Sequence, residues 1–439
     1  MKRIVINIVI IGLVLFASCK KENAEPSQGL IKTIDTEAPF FNRGLIRLDD
    51  GSIIVYGVAF EDITIATNYG QTPSVLAKFD RTGEKLWQRQ LPEEVYEVWK
   101  GISLVNGELI FMGLNSELSS EEVGFVRMNV DGEILQTTSI TNPANSGFAN
   151  LGNLSSAAMD IERLDGGGFA FVARRRWPPT NTPIFRLRLV VFDNNMTILS
   201  DEFHDPEDPE RQYSISDVEL EVGQDGDFWV LAGTALFNPP LTPDAHELSY
   251  AAVMHFDGQS YDRLSVARFV SDPFYKPKTL LFSSSGNPIW SAPRQEGSGQ
   301  DLVLYNIRNQ EYVSVGRTIE LRETNQNGEI LKSTQVSGFE ARGYFHKAKS
   351  CASGGFIFVG TSGISQNLSN PSLTKILLVR IDDQLNIQWM REISTNRAAM
   401  GIDVKEIEDG FIISGSSLSI NEEFRMIFFK VNRSGELTN

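Results

Sequence analysis

The sequence predicts an all-β, seven-bladed propeller, and three observations predict it. First, a turn phrase recurs seven times, as FDRTGEKLW, MNVDGEILQ, VFDNNMTIL, HFDGQSYDRL, TNQNGEILK, IDDQLNIQW and VNRSGELTN, anchored by Asp80, Asn129, Asp193, Asp257, Asn325, Asp382 and Asn432. Second, a glycine-led apolar run precedes each phrase, opening at Gly51, Gly107, Gly168, Gly226, Gly286, Gly355 and Gly410. The spacings are 56, 61, 58, 60, 69 and 55 residues, within the range of propeller repeats. Third, a 3.6-residue hydrophobic period is nowhere sustained, so α-helix should be nearly absent. Short strands repeated this way bury their faces only against neighbouring copies, and closing the row into a ring protects its edges.

The elements follow in order. Residues 1–18 carry Lys2 and Arg3, an apolar stretch from Ile4 to Phe16, then Ala17 and Ser18 before Cys19. That is the layout of a secretory signal. The FASC segment resembles the lipobox of Gram-negative lipoproteins, which implies removal of residues 1–18 and a lipidated Cys19 that holds the chain on a bilayer. Residues 19–28 are polar, with Pro26 and Ser27, and are expected to form a flexible tether ahead of a propeller at 29–439. Within each unit four strands are legible. In the sixth they are FHKAKSCA, GGFIFVG, ILLVRID and IQWMREI, with glycine or aspartate at the reversals. The fifth unit is the least regular: Pro288 sits in its second strand, implying an edge or a bulge, and 301–315 adds an extra run. The last unit stops at GELTN, so GLIKTID at 29–35 is expected to supply its fourth strand and lock the ring.

The phrases of these units resemble the repeats of Gram-negative envelope propellers of the quinoprotein and kelch-like kind, over almost the whole chain after Cys19. Two of them, Thr82 to Trp87 and Asn386 to Trp389, are also similar to the tryptophan-docking phrase of quinoprotein propellers. The resemblance implies an outer-membrane lipoprotein built as a seven-bladed ring. Lys20 after Cys19, in place of an aspartate, points within that group to the outer membrane, on either its periplasmic face or the cell surface.

Charge and motifs narrow the function. The formal net charge is −16, which argues against nucleic acid and against adhesion to anionic lipid. Of the two cysteines, Cys19 is spoken for by acylation, leaving Cys351 as a small buried hydrophobe with no disulfide partner. No HExxH, CxxC pair, GxSxG or phosphate-binding loop occurs, and the four histidines lack metal-ligand spacing. The expectation is a chain that is not an enzyme.

Three groups of residues are candidates for binding. Aromatics ahead of the innermost strands (Phe41, Trp99, Tyr213, Tyr275 and Tyr344) should reach one rim of the channel, where they either contact a sugar, peptide or protein or wedge between blades. Inner-strand acids, Asp160 with Glu162, Asp217 with Glu219, and Asp403, occupy matching places; they either converge on Ca²⁺ or a cationic ligand or brace the channel through backbone N–H groups. No other cofactor is implied. The third group is Arg174, Arg175, Arg176 and Trp177, a basic-aromatic cluster expected on a long loop between the second and third strands of unit three.

The leading functional expectation is a monomeric, lipid-anchored binding or scaffold protein that docks an envelope protein complex, a glycan or a peptide on one face. The alternative is a propeller enzyme acting on glycans, or a diverged quinoprotein-like enzyme.

Overall fold

The structure is a computed structural model that describes residues 31–34, 40–59, 73–95, 97–114, 123–140, 159–177, 184–204, 213–223, 226–236, 249–270, 278–294, 303–306, 311–314, 318–325, 329–339, 342–364, 374–395, 398–418 and 424–438. The first strand, β1 (Lys32–Ile34), belongs to the last blade. Blade one holds β2 (Phe40–Arg47), β3 (Ile53–Ala59), β4 (Ser74–Phe79) and β5 (Lys85–Gln90). A single 3-10 turn at Glu93–Val95 leads to blade two: β6 (Glu97–Ser103), β7 (Leu109–Leu114), β8 (Val123–Met128) and β9 (Ile134–Ile140). Blade three holds β10 (Met159–Arg163), β11 (Phe169–Trp177), β12 (Ile184–Phe192) and β13 (Ile198–His204). Blade four holds β14 (Tyr213–Val222), β15 (Phe228–Leu236), β16 (Ser249–Phe256) and β17 (Arg263–Val270). In blade five, β18 (Lys278–Phe282) and β19 (Pro288–Arg294) are followed by a separate hairpin, β20 (Val303–Asn306) with β21 (Glu311–Ser314), before β22 (Thr318–Thr324) and β23 (Ile330–Val336) complete the sheet. Blade six holds β24 (Arg342–Ser350), β25 (Phe356–Ile364), β26 (Lys375–Ile381) and β27 (Ile387–Ile393). Blade seven holds β28 (Ala399–Ile407), β29 (Gly410–Leu418) and β30 (Phe424–Asn432), with β31 (Leu437–Thr438) at its end.

The innermost strands touch in succession, β2, β6, β10, β14, β18, β24, β28 and back to β2, which closes the ring. β1 pairs antiparallel with β30, Lys32 opposite Phe428 and Ile34 opposite Met426, so the expected closure by the N-terminal strand is present. The chain end contributes as well, since β31 pairs with β30 beyond β1. Pro288 stands at the first position of β19, where a missing N–H costs no ladder bond, and so needs neither the edge nor the bulge expected of it.

The core lies in the seams. Alternate residues of a strand point to opposite faces, so each blade feeds two clusters. In β7, Ile110 and Met112 pack with Phe125, Phe169 and Phe171 toward blade three, while Leu109 and Phe111 pack with Tyr56 and Leu76 toward blade one. The same arrangement recurs at every seam among the described residues, down to Trp229, Leu231 and Trp290 between blades four and five.

The recurring Asp or Asn has a local physical cause. Asp80 Oδ1 accepts the N–H groups of Thr82 and Glu84 at 2.8 Å each, and Asp193, Asp382, Asn129 and Asn432 accept the same two N–H groups in their own turns. This side-chain oxygen replaces ladder bonds lost at the reversal between third and fourth strands. The turns also tie blade to blade: Lys78 Nζ donates to Val130 O, Arg127 Nη1 to Asn194 O, and Lys430 Nζ to Arg81 O. Both docking tryptophans lie on the next blade's turn glycine. A Cβ on Gly132 would meet Trp87 at 3.5 Å and one on Gly435 would meet Trp389 at 2.9 Å, and Trp389 Nε1 donates to Arg433 O. At φ +85° and +79°, these positions favour glycine on backbone grounds too.

Candidate functional site

In each blade the first strand lines the axis, and its position is set by the turn that follows it. Those turns open at Leu164, Gly223 and Cys351, whose N–H groups donate to Gly168, Asp227 and Gly355 carbonyls. Two residues earlier stand Glu162, Glu221 and Lys349, and Lys405 holds the matching place two before Ile407. Two residues further back stand Asp160, Glu219, Lys347 and Asp403, with Lys100 on β6. Period-two alternation points both sets inward. They line a cavity of about 480 Å³ that runs along the channel and includes Phe41, Trp99 and His346 on its wall.

Ion pairs cross this channel. Lys349 Nζ lies 3.5 Å from Glu162 and 4.0 Å from Glu221, so one ammonium serves carboxylates from two blades. Lys347 Nζ lies 3.3 Å from Glu219, and Lys100 contacts Asp160. Glu162, Glu221 and Lys349 expose 20%, 22% and 19% of their side chains, so they face the cavity rather than the seams.

The two glutamates are driven apart electrically. Burial pushes the Glu162 carboxyl up, but Lys349, Lys100 and Lys347 together bring it down to about 2. For Glu221 burial wins: desolvation holds the carboxyl above its usual range, with repulsion from Glu162 added and Lys349 only partly offsetting. Burial also holds Lys100 well below the ordinary lysine range, whereas Lys347 is raised by Glu219 and its neighbours against burial.

Asp160 and Asp403 are committed to the frame. Asp160 accepts Ile161 N–H at 2.8 Å and, across the seam, Leu220 N–H at 2.9 Å. Asp403 does the same with Val404 N–H at 2.8 Å and Leu45 N–H at 3.1 Å. These oxygens are the braces anticipated as one of two readings. Among the described residues no group of three His, Cys, Asp or Glu has an arrangement that holds a metal ion. The side chain of Asp217 lies outside the described residues. The repeat match is displaced, however: counted back from the turns that open at Gly223 and Leu164, Glu219 and Glu221, not Asp217 and Glu219, stand level with Asp160 and Glu162.

The remaining candidates are dispersed. Phe41 and Trp99 expose 2% and 6% and pack into the seams, and Tyr344, 6% exposed, lies edge to face with His346, leaving little ring face open. Tyr213 opens β14, its side chain outside the described residues, and Tyr275 lies outside them altogether. Arg174, Arg175, Arg176 and Trp177 do not begin a loop. They extend β11 and pair with Leu187, Arg186, Phe185 and Ile184, because β12 supplies partners as far as Ile184; their side chains are outside the described residues. Cys351 is buried with its thiol pushed up to about 12 by desolvation, an inert core residue. Cys19 lies outside the described residues. Glu221, Lys347, Lys349 and Lys100 were not anticipated. For the first three the signal was a pair of like charges two apart, at fixed distance before a turn, at Glu219 with Glu221 and Lys347 with Lys349; Lys100 stands between Val98 and Ile102 and has no such pair.

No family model and no curated protein matches the chain. Among solved structures, a Dyadobacter fermentans protein of unknown function is similar over 92% of this chain and 99% of its own, with TM-score 0.51 and 9% identity. A Fusarium graminearum α-L-arabinofuranosidase is similar over 76% of this chain and 91% of its own, with TM-score 0.46 and 8% identity. A Trypanosoma rangeli sialidase is similar over 93% of this chain and 57% of its own, with TM-score 0.42 and 9% identity. At such identities the likeness is one of fold. The expectation that the chain is not an enzyme is corrected to this extent: the similar structures include an α-L-arabinofuranosidase and a sialidase, so the fold gives that expectation no support. Its premise, the lack of short catalytic motifs, also fails physically. In this ring the convergent carboxylates come from strands in separate units, so no local motif can announce them.

Proposed function

We propose that the chain is an envelope propeller that binds a glycan in its central channel and cleaves it with Glu221 and Glu162. The observation that carries this reading is the electrical separation of two carboxylates that share Lys349 in one cavity. Two acids held apart in this way take opposite roles. Glu221, which keeps its proton more readily, gives it to the leaving oxygen as the glycosidic C–O bond breaks. Glu162, held ionised and too weakly basic to abstract protons well, faces the positive charge that develops on the anomeric carbon. Water then adds to that carbon, and the Glu221 carboxylate takes its proton, which restores the starting state. Lys349 is a positioning residue that fixes both carboxylates.

The lipid anchor at Cys19 belongs to the same proposal. β1 enters the ring at the face carrying the tight turns, since Lys32 lies nearer the Asn432 turn than Ile34 does. The tether therefore holds that face toward the outer membrane and leaves the opposite one to the substrate. Replacing Cys19 with Ser should release the protein from membrane pellets.

The test of cleavage is release of new reducing ends from a panel of oligosaccharides. Activity that falls a hundredfold or more in both Glu221→Gln and Glu162→Gln, with folding intact, supports the reading. Activity unchanged in both variants, or none with any oligosaccharide, overturns it.

A further inference from the structure

Lys405 is the channel cation that the protein itself does not use. Its neighbour in the same strand, Asp403, spends one oxygen on Val404 N–H and the other on Leu45 N–H. The lysine in the matching place on blade six, Lys349, absorbs both Glu162 and Glu221. Among the described residues Lys405 has neither a hydrogen bond nor an ion pair, although Asp403 and Glu162 act on it electrostatically from farther away. It lines the cavity all the same. Its layer is completed on the blade-one and blade-two side by Ile46 and Ile102, buried residues of the cavity wall that bring no counter-charge to it. An ammonium set in the cavity wall next to a second lysine, with no ion-pair partner among the described residues, is a poor structural element. It is a good half of a ligand contact, because the attraction grows as water leaves.

We propose that Lys405 is an anion subsite that takes a carboxylate or sulfate group of an acidic glycan, seating it beside Ile46 and Ile102 while the neighbouring sugar lies at Glu162 and Glu221. The inference rests on the cleavage reading for the placement of that neighbouring sugar, and on geometry alone for the anion itself. It also accounts for the mixed lining of the channel: the protein supplies carboxylates for the reacting linkage, and a free cation for the ligand's own charge.

The test measures binding, not turnover. Three probes are titrated calorimetrically into the full-length protein carrying Glu221→Gln: a glucuronate-containing oligosaccharide, its carboxyl-reduced neutral counterpart, and that neutral form bearing sulfate esters. The expected result is that at least one acidic probe binds tenfold or more tightly than the neutral one. Lys405→Met should abolish that difference and leave the neutral affinity unchanged, while Lys405→Arg should keep it. The two acidic arms separate carboxylate from sulfate recognition. Equal affinity for acidic and neutral probes, no binding of any of them, or discrimination that survives Lys405→Met overturns the proposal. If Lys405→Met does not fold, Lys405→Gln serves in its place. Lys405-dependent discrimination in a protein that never releases reducing ends sinks the cleavage reading and leaves this subsite standing. Cleavage that ignores substrate charge does the reverse.

Discussion

Lys349 on blade six reaches across the channel to Glu162 on blade three, ammonium to carboxylate at 3.5 Å. In a ring of seven, blades three and six are as far apart as the circle allows. This pair therefore spans the axis instead of stapling neighbours, and it fixes the carboxylate electrically. Stability, titration and chemistry in the channel all pass through it.

Removing the cation should be costly. Lys349→Met leaves Glu162 and Glu221 facing each other with their shared counter-charge gone, a loss on the order of 1–3 kcal/mol after allowance for their partial exposure to channel water. Urea denaturation at pH 7 measures it. Most of the loss should vanish only as pH falls to 2 and below, where both carboxyls become protonated. A deficit that does not change with pH would assign it to lost packing.

The two glutamates should give pH dependences of opposite sign. Glu162 is depressed from 4.5 to about 2, so its contribution is present above pH 4.5 and is lost as pH falls toward 2. Glu221 is raised above 4.5, so its ionisation opposes folding as pH rises through its folded-state value. Relative to wild type, Glu162→Gln should be less stable at pH 7, and Glu221→Gln more stable. The Glu162 difference should shrink as pH falls from 4.5 and be gone below 2, and the Glu221 difference should shrink as pH falls through its raised folded-state value and be gone below 4.5. Denaturation midpoints collected across this range check the signs.

The braces make a separate expectation. Asp403→Ala strips the acceptor from the buried Leu45 N–H at the closing seam, and Asp160→Ala does the same to Leu220 N–H between blades three and four. Each should cost about 1–3 kcal/mol, the usual price of an orphaned buried donor. Because these oxygens already serve the backbone, EDTA or added Ca²⁺ should leave the wild-type melting temperature where it was. A shift of several degrees on chelation would show that the carboxylates hold an ion instead.

Much of the ring was legible in the sequence, because its cause is local and repeated. An Asp or Asn oxygen capping two N–H groups leaves the same phrase seven times, and a strand that feeds two seams leaves an apolar run after each glycine. The site was harder to read. Asp160, Glu162, Glu219 and Asp403 stood out as inner-strand charges, but which of them brace and which face the cavity depends on contacts between units far apart in sequence. In β14 the matching places also lie two residues later than the repeat phrases put them, which hid Glu221. Arg174 to Trp177 looked like a loop because two prolines follow them in the sequence, whereas β11 runs on to Trp177 on the partners that β12 provides.

Closure offers a simple deletion test. Removing residues 1–34 takes β1 from blade seven and bares the outer edge of β30 apart from its pairing with β31. The melting temperature should fall by several degrees, and the freed edge should favour association between copies. A deletion that melts as the full chain does would mean that β1 adds nothing to the ring.

The most direct measurement is a carbon-13 NMR titration of the glutamate side-chain carboxyls, with Glu162→Gln and Glu221→Gln assigning the two resonances. The expected result is one carboxyl that stays ionised down to about pH 2 and another that holds its proton above pH 4.5, with the first moving up when Lys349 is replaced by Met. Two carboxyls that titrate together at the ordinary value, indifferent to Lys349, would contradict the assignment of opposite roles to this pair.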